Sequence, residues 1–148
     1  MTTQLEIIRA ANTTAYAAGQ VINNDGSTSM LSFTSISGLT TILGARLVSS
    51  NPASTPDFSL YLFSGDFKLA ADGAAFNPSD ANLKANYLGR VKFEAADWSA
   101  FTANKACDGK PIAPFNILND TNYAVLVADG AYTPISGEVI TMTLSDTL

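Results

Sequence analysis

The sequence predicts an all-β domain: an antiparallel β-sandwich or jelly roll with one short helix on a loop. Three observations carry that expectation. Apolar residues fall in short runs that alternate with polar ones, the period of a strand with one buried face. The runs are separated by turn formers, namely four Asp-Gly pairs (Asp25-Gly26, Asp72-Gly73, Asp108-Gly109, Asp129-Gly130) and Pro52, Pro56, Pro78, Pro111, Pro114 and Pro134. Only one stretch carries helix signals, and the whole chain has three Glu. About eight short, turn-punctuated strands suit a sandwich, with a closed barrel as the alternative.

Taken in order, "LEIIRA" reads as an N-terminal strand. In "NTTAYAAGQVIN", Tyr16 and Val21 bracket a chain reversal, Gly19 supplies the tight position, and Gln20–Ile22 start a strand. "MLSFTSI" and "ILGARLVSS" are weaker strands. "FSLYLF" places Phe58, Leu60 and Leu62 on one face and Tyr61 and Phe63 on the other, so both faces are apolar and the strand is central. "FNPSDANLKANYLG" is the helix: Asn77 or Ser79 caps it, Pro78 suits its first turn, Asp80 sits at the positive end, and Asn86 and Gly89 end it. "LGRVKFE" sets Val91 and Phe93 against Arg90 and Lys92. "NYAVLVA" sets Tyr123, Val125 and Val127 against Ala124, Leu126 and Ala128. "EVITMTLS" is the clearest strand, with Ile140, Met142 and Leu144 inward and Thr141, Thr143 and Ser145 outward. Trp98 and Phe101 in "AADWSAF" are expected to cap the core from a single turn.

The 148 residues fit one domain, 1–148, with residues 1–11 as a candidate N-terminal arm. Aliphatic, aromatic and Cys residues make up 47% of the chain, a globular composition. Only 14% of residues are charged, so Ser, Thr and Asn must supply much of the surface, which suits a protein that packs against partners. The net charge is −5, and the eight basic residues are scattered, so no stripe is expected to hold nucleic acid. No apolar run is long enough for a membrane-spanning helix. "MTTQLEIIRA" has neither a basic start nor a long apolar core, so a signal peptide is not expected and folding in a cytoplasm is.

Catalytic chemistry has few candidates. The chain has no histidine, which removes Ser-His-Asp and Cys-His nucleophile systems and the commonest metal ligand. The single cysteine, Cys107, cannot form an intrachain disulfide, and it lies in "NKACDGK", where Lys105 and Lys110 could activate it but no base assists. "NNDGST" (Asn23, Asn24, Asp25) and "NDTN" (Asn119, Asp120, Asn122) offer oxygen ligands without EF-hand spacing, and read as polar turns. The acids sit mostly at turns, with Glu94 after a strand and Glu138 before one, so no paired-carboxylate site is expected. No enzyme activity, cofactor or metal is expected.

Four segments in order carry a resemblance: "ANTTAYAAGQV" (11–21), "ILGARLVSSN" (42–51), "FSLYLFSGD" (58–66) and the run from "FNPSDANL" to "YLGRVKF" (76–93), with "NYAVLVADGAYTP" fitting as well. Together they resemble small virion structural proteins of tailed bacteriophages. The Tyr-x-x-Gly-x-Val look of 16–21 is shared with small chitinase carbohydrate-binding modules, but the exposed aromatics of those modules do not follow it here. The phage resemblance implies a capsid decoration, or cement, protein on the outside of the head, linking neighbouring major capsid protein subunits. Alternative roles are a tail or baseplate structural protein, or a carbohydrate-binding host-adhesion module. The expected location is the virion surface after synthesis in the host cytoplasm. The expected partners are the major capsid protein and a second or third copy of the chain, with no nucleic acid and no membrane. Self-association through open sheet edges points to Leu5, Ile7 and Ile8, which lack an obvious hairpin partner, and to loop 69–76, whose Phe76 suits a partner's pocket.

Overall fold

The computed structural model of the protein describes residues 2–34, 40–68, 70–113, 115–117 and 120–147. Among them run β1 (Thr2–Ile8), β2 (Val21–Ile22), β3 (Leu31–Thr34), β4 (Thr40–Ser49), β5 (Phe58–Phe63), α1 (Asp80–Asn86), β6 (Tyr87–Phe93), a 3₁₀ turn (Ala95–Asp97), β7 (Trp98–Ala100), β8 (Lys105–Pro111), β9 (Phe115–Ile117), β10 (Thr121–Ala128) and β11 (Val139–Thr147). Every pairing is antiparallel. The fold is therefore all-β with a single short helix on a loop, as the sequence predicts. No helix of the described residues is long and apolar enough to cross a membrane.

The strands form two layers. In the first, β11 lies between β1 and β4, and β8 and β9 follow each other along the far edge of β4, with β7 added to β8. In the second, β5 lies between β6 and β10, and β2 and β3 share the far edge of β10. One corner is continuous, because the end of β8 leaves β4 and pairs with β6 at Val91–Pro111 and Lys92–Lys110. The opposite corner is tied by the turn after β2: the Ile8 amide donates to Asn24 Oδ1 at 2.8 Å, and the Asp25 amide donates to the Ile8 carbonyl at 3.1 Å. These two ties make the sandwich barrel-like.

The main core lies between the layers. Period two decides its membership: Leu5 and Ile7 from β1, Leu47 from β4, Phe58, Leu60 and Leu62 from β5, Val91 and Phe93 from β6, and Ile140, Met142 and Leu144 from β11 all point into it. Each fully buried Leu or Ile contributes about 1.5–3 kcal/mol relative to exposure. The outer faces differ. Tyr61, Phe63, Val125 and Val127 on the second layer are covered by Phe67, Ala70 and Phe76 of the segment between β5 and α1, forming a smaller second core.

Four local expectations change. Within the 1–11 segment, residues 2–8 are not an arm, since β1 pairs along its length with β11, from Thr2–Ser145 to Ile8–Val139. The partner lies far away in sequence, beyond the reach of a hairpin reading. Pro78 precedes the helix, because Ser79 is the cap and its Oγ accepts the Asn82 amide at 3.2 Å. Asp108-Gly109 is no turn but part of β8. Gly109 is there for close approach: a Cβ would lie 2.6 Å from the Phe93 ring and 2.9 Å from the Lys92 carbonyl oxygen. Gly89 likewise lies inside β6, where a Cβ would lie 2.3 Å from the Phe115 ring.

Candidate functional site

The residues singled out for contact separate. Leu5 and Ile7 are buried in the main core, while Ile8 points outward and is 53% exposed. Phe76 is half-buried and sits 5.4 Å from the Tyr61 ring and 5.9 Å from the Phe63 ring, centroid to centroid. It therefore closes the second core. Leu69, which opens the expected contact loop, lies outside the described residues, as do Pro114 and Asn119. Trp98 is half-buried, donates from Nε1 to the Pro56 carbonyl at 2.7 Å and packs edge-on against Phe58, while Phe101 stands in solvent and caps nothing.

A buried polar chain was only faintly marked in the sequence. The stretch 12–23 has one tyrosine among small residues because Tyr16 is its centrepiece. Gly19 has φ +85°, which a side chain would resist, and this turn lets Tyr16 pair backbone to backbone with Tyr132 just before β2 begins. The two rings stack at 5.7 Å. Arg9, 3% exposed, lays its guanidinium 4.8 Å over the Tyr16 ring and donates from Nε to the Tyr16 hydroxyl at 2.5 Å. That hydroxyl donates to Asp72 Oδ1 at 2.6 Å, and Arg9 Nη2 lies 3.9 Å from Asp72 Oδ2. On the other side of the stacked rings, the Tyr132 and Ser49 hydroxyls each donate to one oxygen of buried Glu138.

This chain joins the ends of β1 and β4, the start of β11, the 12–16 segment and the cover of the second core. Its buried charges are each hydrogen-bonded, the condition under which such groups are tolerated. Burial, and secondarily the hydrogen bond to Asp72, pushes the Tyr16 hydroxyl well above its ordinary range; burial and then Glu138 do the same to Tyr132. Both hydroxyls are therefore neutral donors that brace the fold. Apart from Tyr16 and the placement of Glu138 before a strand, nothing in the sequence signalled a cluster drawn from five distant segments.

Cys107 is a strand residue. It lies buried in β8, and burial, then the charge of Asp97, pushes its thiol up to about 11. The neighbouring lysines do not activate it, and the thiol stays protonated near neutral pH. Asn23 and Asn24 serve structure: Asn23 Nδ2 donates to the Ser29 carbonyl at 2.9 Å and to the Ala70 carbonyl at 2.5 Å, and Asn24 receives the Ile8 amide. Among the described residues, no three acidic or cysteine side chains gather into a metal-binding group.

The surface offers shallow clefts. One of about 500 Å³ lies between segments 51–56 and 131–135 and carries no charged lining residue. Another, about 230 Å³, runs along the edge of β6, between Tyr87 and Leu88 on one side and Ile112, Ala113 and Phe115 on the other, with Arg90 as its one charged lining residue. Ile112 is 62% exposed and Tyr87 43%. Comparison of the chain with family models, with curated proteins and with solved structures gives no match.

Proposed function

We propose that the chain is a decoration protein of a tailed-phage capsid, a non-catalytic clamp that binds the outside of the head and links neighbouring major capsid protein subunits. The observation that carries the reading is where the resembling segments fall. Segment 11–21 builds the Tyr16 turn, 42–51 lies in and after β4, 58–66 forms β5 and its exit, and 76–93 forms α1 and β6. The likeness therefore lies in the framework and not in a reactive centre, which favours a role in a particle. A scaffold of long-range strand pairs braced by buried hydrogen bonds suits a clamp that must resist pull. Many copies, each with a modest contact, would add up through avidity.

The partners in this reading are the coat subunit and further copies of the chain, as a dimer or trimer. Self-association does not use Leu5 or Ile7, whose side chains are in the core; the exposed Ile8 and the outer edge of β1 are what that end offers. Location in the particle tests the reading. Heads and tails separated from the phage whose genome encodes the chain are assayed by mass spectrometry, and head maps are compared with and without the gene. The expected result is the chain on heads and a loss of outer density on deletion. A chain found only on tails would replace this reading with a tail or baseplate role.

A further inference from the structure

We propose that the cleft along the β6 edge is the coat-facing contact, and that it takes an apolar side chain with a carboxylate beside it. The inference deepens the decoration reading and depends on it for the identity of the partner, but not for the chemistry of the occupant.

Charge carries the argument. The chain has 13 acidic and 8 basic residues, so acids are in surplus. Three basic side chains have found them: Arg9 with Asp72, Arg46 with Asp108 and Lys92 with Asp129. Arg90 has not. Among the described residues no carboxylate lies within 4.0 Å of it, and its one side-chain hydrogen bond is to the Tyr61 hydroxyl at 3.5 Å. The guanidinium rests 5.8 Å from the centroid of the Tyr61 ring, a contact that holds the planar fork and leaves its edge available for a carboxylate. An arginine so placed binds a carboxylate through two parallel hydrogen bonds.

The walls beside Arg90 define the rest of the occupant. Phe115 lies across Gly89 and lines the cleft from the main-core side, and no side chain other than glycine's would leave it room. Ile112 and Tyr87 rise on either side and are 62% and 43% exposed, two apolar side chains at one cleft. The cleft, at about 230 Å³, accommodates one leucine-sized or phenylalanine-sized side chain and not a whole strand or helix. An apolar anchor in a small pocket with a charge at its rim is the common form of a binding hot spot.

Two measurements test this. In the first, ¹⁵N-labelled protein is titrated with N-acetyl-leucine and, separately, with N-acetyl-leucine amide, which keeps the side chain and lacks the charge. Amide shifts should centre on Leu88, Arg90, Ile112 and Ala113, with the neutral probe binding about tenfold more weakly. In Arg90→Gln the two probes should bind alike. Equal binding by the wild type, or shifts that centre elsewhere or are absent, overturns the proposed occupant. In the second, empty heads from the encoding phage are mixed with wild type, Arg90→Glu, Ile112→Lys, and Leu43→Lys as a control on the other layer. Melting curves first establish that each variant is folded. Wild type and Leu43→Lys should bind, and the other two should lose about tenfold or more. If wild type binds and both cleft variants bind equally well, the cleft is not the coat-facing contact. If wild type itself does not bind, the decoration reading fails, and the N-acetyl-leucine result alone decides the chemistry of the cleft.

Discussion

The two layers of the sandwich share an inner face and differ completely on their outer ones. On the first layer, Arg46, Asp108, Thr143 and Ser145 look into solvent, and nothing covers them among the described residues. On the second, Tyr61, Phe63, Val125 and Val127 are roofed by Phe67, Ala70 and Phe76. The roof is held by polar pins: the Asn23 amide and the Tyr16 hydroxyl both donate to Asp72 Oδ1, and Asn23 Nδ2 donates to the Ala70 carbonyl. The bare face needs only alternation, because water satisfies its outward residues. The roofed face needs apolar residues at both phases of the strand, together with a coil segment whose backbone groups are individually bonded.

The shared inner face should be the most sensitive place. Met142 on β11 is fully buried between Leu5 of β1 and Leu47 of β4, its register neighbours. Met142→Asp places a charge there with no partner, and should cost about 4 kcal/mol or more, a large fraction of a typical domain's stability. Circular dichroism with urea titration reads the effect. A melting temperature equal to wild type would mean that β11 faces the other way.

The roofed face should come next and fail differently. Phe63 is fully buried against Phe67, Phe76 and Tyr87, with the Phe67 ring edge-on at 5.0 Å. Phe63→Ala should cost about 3–4 kcal/mol, and its cavity opens under the roof and not between the layers. Hydrogen exchange should therefore quicken in residues 70–76 well before β11 responds. Equal acceleration in β11 would show that the two cores melt as one unit and that the roof is no separate layer.

This contrast also explains what the sequence made legible. Alternation exposed β5, β6, β10 and β11 with their residues sorted onto the correct two faces, and β11 with the correct inward set, because a two-residue period survives wherever one face meets water or a second sheet. The apolar second phase of "FSLYLF" announced a covered face. What covers it could not be read, since Phe67 and Phe76 come from coil that has no period. Asp108-Gly109 misled because a glycine chosen for close approach to Phe93 carries the same letter as one chosen for a turn. Of the site, Tyr16 stood out by its surroundings, whereas Arg9, Asp72, Tyr132 and Glu138 are ordinary in their local contexts. Arg90 was visible only as a strand residue and Ile112 drew no reading at all, and their shared cleft is a product of the β8–β6 corner.

A smaller effect should separate the layers by pH. Cys107 projects from β8 into the main core, and its thiol is raised from 9.0 to about 11. Between those values the unfolded chain releases a proton that the folded chain keeps, so stability is complete below the lower value and falls as pH rises through the window. Tyr16 and Tyr132, both raised from 10.0, extend the decline in the same direction. Cys107→Ala should flatten the fall between pH 9 and 10 by on the order of 1 kcal/mol and leave the tyrosine part in place. Melting temperatures measured across pH 7–11 check it. An undiminished fall in the variant would assign the decline to the tyrosines alone.

The bare face should give the smallest response. Arg46 Nε donates to Asp108 Oδ1 at 2.7 Å, and Nη2 donates to Oδ2 at 3.3 Å, in direct cross-strand register between β4 and β8. The hydrogen bonds from Arg46, and then its charge, hold the Asp108 carboxyl below the usual carboxylate range. A lowered carboxyl contributes stability above its unfolded value and loses it as pH falls through the folded one. Both side chains are nearly two-thirds exposed or more, at 64% and 69%, so water and salt screen the pair and little of that linkage should reach the fold. Asp108→Asn should leave the melting temperature unchanged within error at neutral pH. The pair should still be visible by carbon-detected NMR as a low Asp108 titration midpoint at low ionic strength, moving back toward the ordinary value in 1 M salt. A clear loss of stability in Asp108→Asn, persisting in high salt, would mean that the outer face of the first layer is covered in solution, and the contrast between the two layers would then be one of different covers.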